Sequence, residues 1–256
     1  MNKYFYLIKI QYCGFRFSGW QKQTNAKTIQ EMFDKTIFFI TGHENFKTLG
    51  AGRTDAKVSA NEYLLELYIN DQHDVSELLN KLNVSLPPDI KALEVREVDE
   101  KFNIMGAPKI KEYIYLFTYA EKPHPFSAPY MVFFDTKLDL ELMKQGARLF
   151  NGRHHFQHYC YKPSKETIFE REIKSCEILE NDIYTANFFP EKSWVLKVRG
   201  QGFLRHQIRL MMGTLINLGS NKMTLEELEE SLNGKEVNGL GTIAPSSGLI
   251  LNRVEL

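Results

Sequence analysis

The 256-residue chain is 43% hydrophobic and 25% charged, the balance of an ordinary globular protein with room for one large domain or two lobes sharing a core. Its 32 basic residues match its 32 acidic ones, so a nucleic-acid role needs a confined basic cleft rather than an overall positive charge. Three dispersed cysteines (Cys13, Cys160, Cys176) argue against a disulfide framework or a thiolate zinc site. No apolar run reaches the roughly 18 residues of a membrane helix, and the first residues lack a signal peptide's apolar core. A soluble, cytoplasmic chain is the expectation.

In chain order, YFYLIKIQY (4–12) reads as a β-strand of alternating aromatic or β-branched and polar residues. After an aromatic loop, CGFRFSGWQKQTN, the run TIQE marks a helix start at Thr28, a capping box with Glu31. Ile29, Met32, Phe33, Ile37 and Ile40 then share one face, and Gly42 ends the helix. NEYLLELYI (61–69) is a second strand, DVSELLNKLNVSL (74–86) a helix stopped by Pro87 and Pro88, and DIKALEVREV a strand. KEYIYLFTY (111–119) is a strong strand, followed by the proline-rich loop EKPHPFSAPY. Residues 139–152 read as a helix ended by Gly152; REIKSCEILEN and SWVLKVRGQGF read as strands. Residues 204–219 form a helix with Ile208, Met211, Met212, Leu215 and Ile216 on one side, and TLEELEESLNG (224–234) is a second capping-box helix. Strands and helices mixed in this way indicate an α+β protein. Without a low-complexity linker, two lobes on one continuous sheet are expected, an N-terminal lobe over 1–105 and a C-terminal lobe over 106–256.

The most unusual run is LGAGRTDAKVSA (49–60). Gly50 and Gly52 allow close backbone approach, and Arg53 supplies a cation two residues before Asp55. A positioned, ionised carboxylate can act as a nucleophile at a sugar carbon or as a general base. Asp is also common in turns, so the residues alone leave both readings of Asp55 open. Tyr113 and Tyr115 lie on one strand face, either as core aromatics or with one ring as a platform for a planar base. In RGQGFLRHQIRLMMG, Arg205 and Arg209 stand four apart near a helix start, where cations oppose the helix dipole and call for an anion, a phosphate or a carboxylate such as Asp55. His154 and His158 have a spacing that binds metal on a helix, but no HExxH accompanies them, and a metal is rejected.

GRTDAKVSA, KEYIY, VRGQGFLRHQIRLMMG and APSSGLIL, in this order and with IQYCGFRFSGWQKQ at the start, resemble the tRNA pseudouridine synthase A (TruA) family. The likeness spans nearly the whole chain, and VSA, the RGQGF…HQIR wording and the longer Phe102–Tyr113 spacer resemble its eukaryotic-type branch. It implies a pseudouridine synthase fold, a largely antiparallel mixed sheet flanked by helices, with a central cleft between the lobes. It further implies isomerisation of uridine to pseudouridine in tRNA with no cofactor, Asp55 as nucleophile, and Arg53 extruding the target base. Tyr113 would stack on the base or transfer a proton, and Arg209 would pair with Asp55. Lys57, Lys111, Arg205 and Leu249 are the further substrate-binding candidates, with Lys109, Lys162 and Lys165 as phosphate contacts, and a homodimer is implied. The family usually has glycine where this chain has Lys57; a left-handed backbone there would cost about 1 kcal/mol or more. His155 takes the place of an acidic residue and Leu210 that of an asparagine. Two alternatives follow: a catalytically altered RNA-binding or tRNA-folding protein of the same fold, and a hydrolase acting on free nucleosides through Asp55.

Overall fold

The first predicted strand forms as read. In a computed structural model, which describes residues 3–256, Tyr4–Tyr12 is β1, and Tyr6, Ile8 and Ile10 are fully buried. The described residues group into two compact units: the chain up to Pro108 together with Leu251–Leu256, and Lys109–Ile250.

In the first unit β1 is followed by α1 (Ile29–Thr41), β2 (Phe46–Gly50), β3 (Ser59–Ile69), α2 (Val75–Ser85) and β4 (Ile90–Glu97). β1 is antiparallel to β3 and to β4, and β2 is antiparallel to β3. Thr28 caps α1 by accepting the Glu31 N–H at 3.3 Å, and Gly42 ends it in the left-handed conformation (φ 76°). The Glu31 carboxylate is also held by Lys35 Nζ at 2.6 Å, one turn on. Ile29, Phe33 and Ile37 are fully buried, whereas Met32 and Ile40 are half-exposed. Asp74 caps α2 through the N–H groups of Ser76 and Glu77. Asn252 is tied to β3 by the Asn61 Nδ2 donor at 2.8 Å.

The second unit runs through β5 (Ile110–Tyr119), β6 (Val132–Phe134), α3 (Leu140–Leu149), β7 (Gly152–His155), β8 (Glu170–Glu180), β9 (Trp194–Gly200), α4 (Gln207–Gly219) and α5 (Leu225–Leu232), with β10 (Leu249–Glu255) starting at its end. β9 is antiparallel to both β5 and β8, β7 is antiparallel to β8, and the three-residue β6 is parallel to β5. α3 packs on α4, α5 and β8. Thr224 and Glu227 complete the full capping box at α5. Ten strands, paired mostly antiparallel, with five helices among the described residues make the fold α+β, as the element order indicates.

Several expectations need correction. α3 ends at Leu149, and Gly152 (φ 99°) opens β7 rather than closing the helix. α4 begins at Gln207, so Arg205 precedes the helix and does not share a face with Arg209. α4 is also buried on most of its circumference, with Leu210, Gly213 and Leu218 enclosed as well as the expected stripe. His154 lies on β7 and His158 in a 3-10 turn, so their spacing of four is not one helical face. β2, β6, β7 and β10 are absent from the sequence reading.

Candidate active site

The loop carrying Asp55 joins β2 to β3 and is fixed from several sides. Ala51 N–H donates to Leu64 O at 2.9 Å, Trp20 N–H to Thr54 O at 3.2 Å, and Lys57 N–H to Phe17 O at 3.0 Å. The Tyr12 hydroxyl meets Thr54 Oγ1 at 3.0 Å, and the Tyr63 hydroxyl donates to the Gly52 carbonyl. Behind the loop, the Trp20 and Tyr63 rings stack with centroids 4.1 Å apart. Gly50 passes so close that a Cβ there would fall 1.9 Å from the Tyr63 hydroxyl.

Residues 55–58 form a turn closed by the Val58 N–H on Asp55 O at 3.2 Å, with Lys57 third at φ 67°. That position belongs to glycine or asparagine in a turn of this kind. The expected backbone conformation at Lys57 is therefore present, and with it the strain. Its ammonium lies over the Phe15 ring, 5.7 Å from the centroid. Backbone groups close the turn. Asp55 is half-exposed, and Arg53 and Lys57 are exposed.

Gly19 is the support that the sequence reading missed. It sits at φ 94°, and a Cβ on it would lie 2.6 Å from Thr54 O and 3.2 Å from the Asp55 carbonyl carbon. Gly14 does the same for the end of the loop, where a Cβ would fall 1.9 Å from Val58 O. The signal was the spacing of glycines in CGFRFSGW; the partner, thirty-five residues away, is not legible from spacing.

The second unit holds the other candidates. Tyr113 and Tyr115 share one face of β5, opposite Val198 and Leu196 of β9. Tyr115 is fully buried and donates its hydroxyl to Pro245 O at 2.7 Å; burial holds its pKa far above the ordinary tyrosine value. It is the structural member of the pair. Tyr113 keeps 8% of its surface and meets Phe203 edge-on, 5.2 Å between centroids.

Arg209, in the first turn of α4 and half-exposed, is oriented by its own Nε donating to Ala244 O at 2.7 Å. The return bond, Ala244 N–H to Arg209 O at 3.1 Å, closes a two-point clasp. Gly213 lets this strap run against the helix, since a Cβ there would lie 1.9 Å from Thr242 O. Residues 244–248 thus tie α4 at Arg209 to β5 at Tyr115, and Gly248 sits 2.7 Å, measured from its ideal Cβ, from Leu116 O. Leu249 follows directly and is buried. Lys111 is half-buried on β5; burial, with Lys109 second, pushes its pKa down to about 8. Arg205 is exposed on the turn before α4.

By unit, Asp55, Arg53 and Lys57 share one loop, while Tyr113, Lys111, Arg205, Arg209 and Leu249 belong to the second unit. The first unit thus offers a carboxylate on a loop fixed by backbone bonds, and the second offers an aromatic hydroxyl and basic side chains. Among the described residues no cluster of three or more His, Cys, Asp or Glu side chains has metal-ligand geometry, and no helix is long and apolar enough to cross a membrane.

Residues 147–255 match the family model described as tRNA pseudouridine synthase. Over 251 residues the chain is 32% identical to "tRNA pseudouridine synthase A 2" of Bacillus thuringiensis subsp. konkukian, covering 98% of both proteins. It is 32% identical over 248 residues to "tRNA pseudouridine synthase A" of Clostridium kluyveri, covering 96% of this chain and 97% of the relative. A protein of that name from Dictyoglomus thermophilum is 31% identical over 250 residues, 97% of this chain and 98% of its own.

Proposed function

The chain belongs to the tRNA pseudouridine synthase A (TruA) family, and on that premise we infer that it converts uridine to pseudouridine in tRNA with Asp55 as the reacting carboxylate. The observation that supports this role is the Asp55 loop itself: strained at Lys57, buttressed by Gly19 and fixed by backbone bonds on both sides of the aspartate. Strain retained at a rigid loop is characteristic of functional sites.

In the reaction the N1–C1′ bond breaks, uracil rotates, C5 bonds to C1′, the C5 proton leaves and N1 takes up a proton. Atoms balance within one nucleotide, so no co-reactant is consumed. The target base must first leave its stack, at a cost of a few kcal/mol. Arg53, exposed beside Asp55, fills the vacated stack; Tyr113 packs on the flipped ring; Arg209 pairs with the Asp55 carboxylate. Lys57, Lys111 and Arg205 hold phosphates and Leu249 closes the pocket. Retaining the detached uracil beside C1′ favours recapture over hydrolytic loss. Asp55 either attacks C1′ or removes the 2′ proton to give a glycal. Deuterium at C2′ gives a primary isotope effect only in the second route.

The two sequence lobes, 1–105 and 106–256, flank the cleft in this reading, and the enzyme acts as a cytoplasmic homodimer. The alternative of a catalytically altered RNA-binding protein drew on Lys57. Lys57 adopts the left-handed conformation a glycine would take, so the turn's path is kept and the isomerase reading is favoured. Carbodiimide mapping of tRNA incubated with the pure protein tests it. New pseudouridines are expected; unmodified tRNA, or free uracil as product, contradicts the reading.

A further inference from the structure

In a chain of zero net charge, most described cations near carboxylates are paired, as in Arg16–Asp89, Lys35–Glu31, Lys81–Glu77 and Arg153–Glu170. One group departs from this pattern. The ring of Tyr161 carries the Arg205 guanidinium 5.3 Å from its centroid and the Lys162 ammonium also at 5.3 Å. His206 stacks on the same ring, 4.7 Å between centroids and nearly coplanar at 9°. The Tyr161 N–H donates to Arg205 O at 3.0 Å, locking the two segments together. Arg171 reaches the same neighbourhood: the Cys160 thiol, raised by burial, is acted on by both Arg171 and Arg205. Arg171 Nη1 spends a bond on the Glu170 carbonyl at 2.7 Å, a backbone group that leaves its charge uncompensated. Among the described residues none of Arg205, Lys162 and Arg171 has an ion-pair partner.

Backbone strain accompanies the cluster. Lys162 (φ 47°) and His206 (φ 61°) are both left-handed without being glycine, a cost of about 1 kcal/mol or more at each. The turn between β9 and α4 then presents Phe203 to Tyr113 and, two residues later, Arg205 to Tyr161. One turn therefore links Tyr113 to the cations around Tyr161.

We propose that Arg205 and Lys162, ordered over the Tyr161 ring, together with Arg171, which acts on the adjoining Cys160 thiol, form a phosphate-binding subsite for the RNA backbone flanking the target nucleotide. This deepens the tRNA reading above and rests on it. Tyr161 is a positioning residue: its π face holds two cations in place before RNA arrives, so less side-chain freedom is lost on binding. The cluster also lies at the start of α4, whose dipole adds to the attraction for an anion.

The test measures tRNA affinity of the full chain against salt by fluorescence anisotropy, alongside pseudouridine formation. Arg205→Gln and Lys162→Gln, at exposed positions, should each make the slope of log K against log salt shallower by about 1, and the triple variant with Arg171→Gln by about 2 to 3. The activity loss should fall on KM rather than kcat. Tyr161→Leu should weaken binding about fivefold while Tyr161→Phe, which keeps the ring, binds as wild type. An unchanged slope in the single and triple variants overturns the subsite, and equal losses in Tyr161→Phe and Tyr161→Leu overturn the ring's positioning role. A wild-type protein that binds tRNA with the steeper slope yet forms no pseudouridine contradicts the proposed reaction and leaves the subsite standing.

Discussion

Replacing Lys57 separates backbone strain from charge in the loop that carries Asp55. At φ 67° a non-glycine residue costs about 1–2 kcal/mol relative to an ordinary conformation. Lys57→Gly removes that cost, and glycine's greater freedom in the unfolded chain takes back about 0.4–1 kcal/mol. Lys57→Ala keeps the strain. Both variants lose the ammonium over Phe15, an exposed contact worth about 0.5–1 kcal/mol, so that term cancels between them. With each range taken at its middle, Lys57→Gly should be more stable than Lys57→Ala by about 0.8 kcal/mol, or about 2–3 °C in Tm. Urea denaturation read by tryptophan fluorescence checks this, because Trp20 stacks behind the same loop. The charge lost is identical, so tRNA affinity should fall equally in the two. An alanine variant as stable as the glycine variant would refute the assignment of strain to this turn.

Gly19→Ala should lower kcat about a hundredfold by displacing Asp55 through the Thr54 carbonyl and cost about 1–3 kcal/mol of stability. Gly42→Ala is the control: it also has a positive φ, 76° against 94°, but nothing within 4 Å, so it should lose stability alone, and equal kcat losses in both would contradict the buttress. Lys111, pushed down to about 8, is charged below that pH and neutral above it. Affinity for tRNA should therefore fall as pH rises through about 8, and Lys111→Gln should flatten that dependence in a binding titration. The sign for stability is opposite: between about 8 and the ordinary value of 10.5 the unfolded chain binds more protons, so this group's contribution improves as pH rises. Glu66 is fully buried on β3 and accepts the Ile104 N–H at 3.0 Å. Glu66→Ala should cost about 1–3 kcal/mol in a denaturation midpoint by orphaning that N–H, while Glu66→Gln, which keeps an acceptor, should cost less.

What the sequence made legible was local. The Thr28 cap, the Gly42 terminus and the Thr224–Glu227 box are encoded within one helical turn, and each appears where expected. β2 and β7 were missed because FKTLG and GRHH carry lysine, arginine, histidine and glycine with little apolar alternation; pairing to β3 and β8 makes them strands. Gly152 looked like a helix stop because a left-handed glycine serves both a helix end and a strand start. Arg205 lost its helical position because α4 begins after His206, whose φ of 61° no spacing rule anticipates. The Asp55 loop was recognisable by composition, but its supports were not. Gly19 acts across thirty-five residues, and Arg205 finds Tyr161 across forty-four.

The central claim is that Asp55 carries the isomerisation. Its most direct test is tritium release from tRNA labelled at uridine C5, comparing wild type with Asp55→Asn, which keeps the size of the side chain and removes its charge. The account predicts release by the wild type matched by pseudouridine formed, and a loss on the order of a thousandfold or more in the variant with tRNA binding retained. Release by Asp55→Asn at a rate near wild type would contradict it.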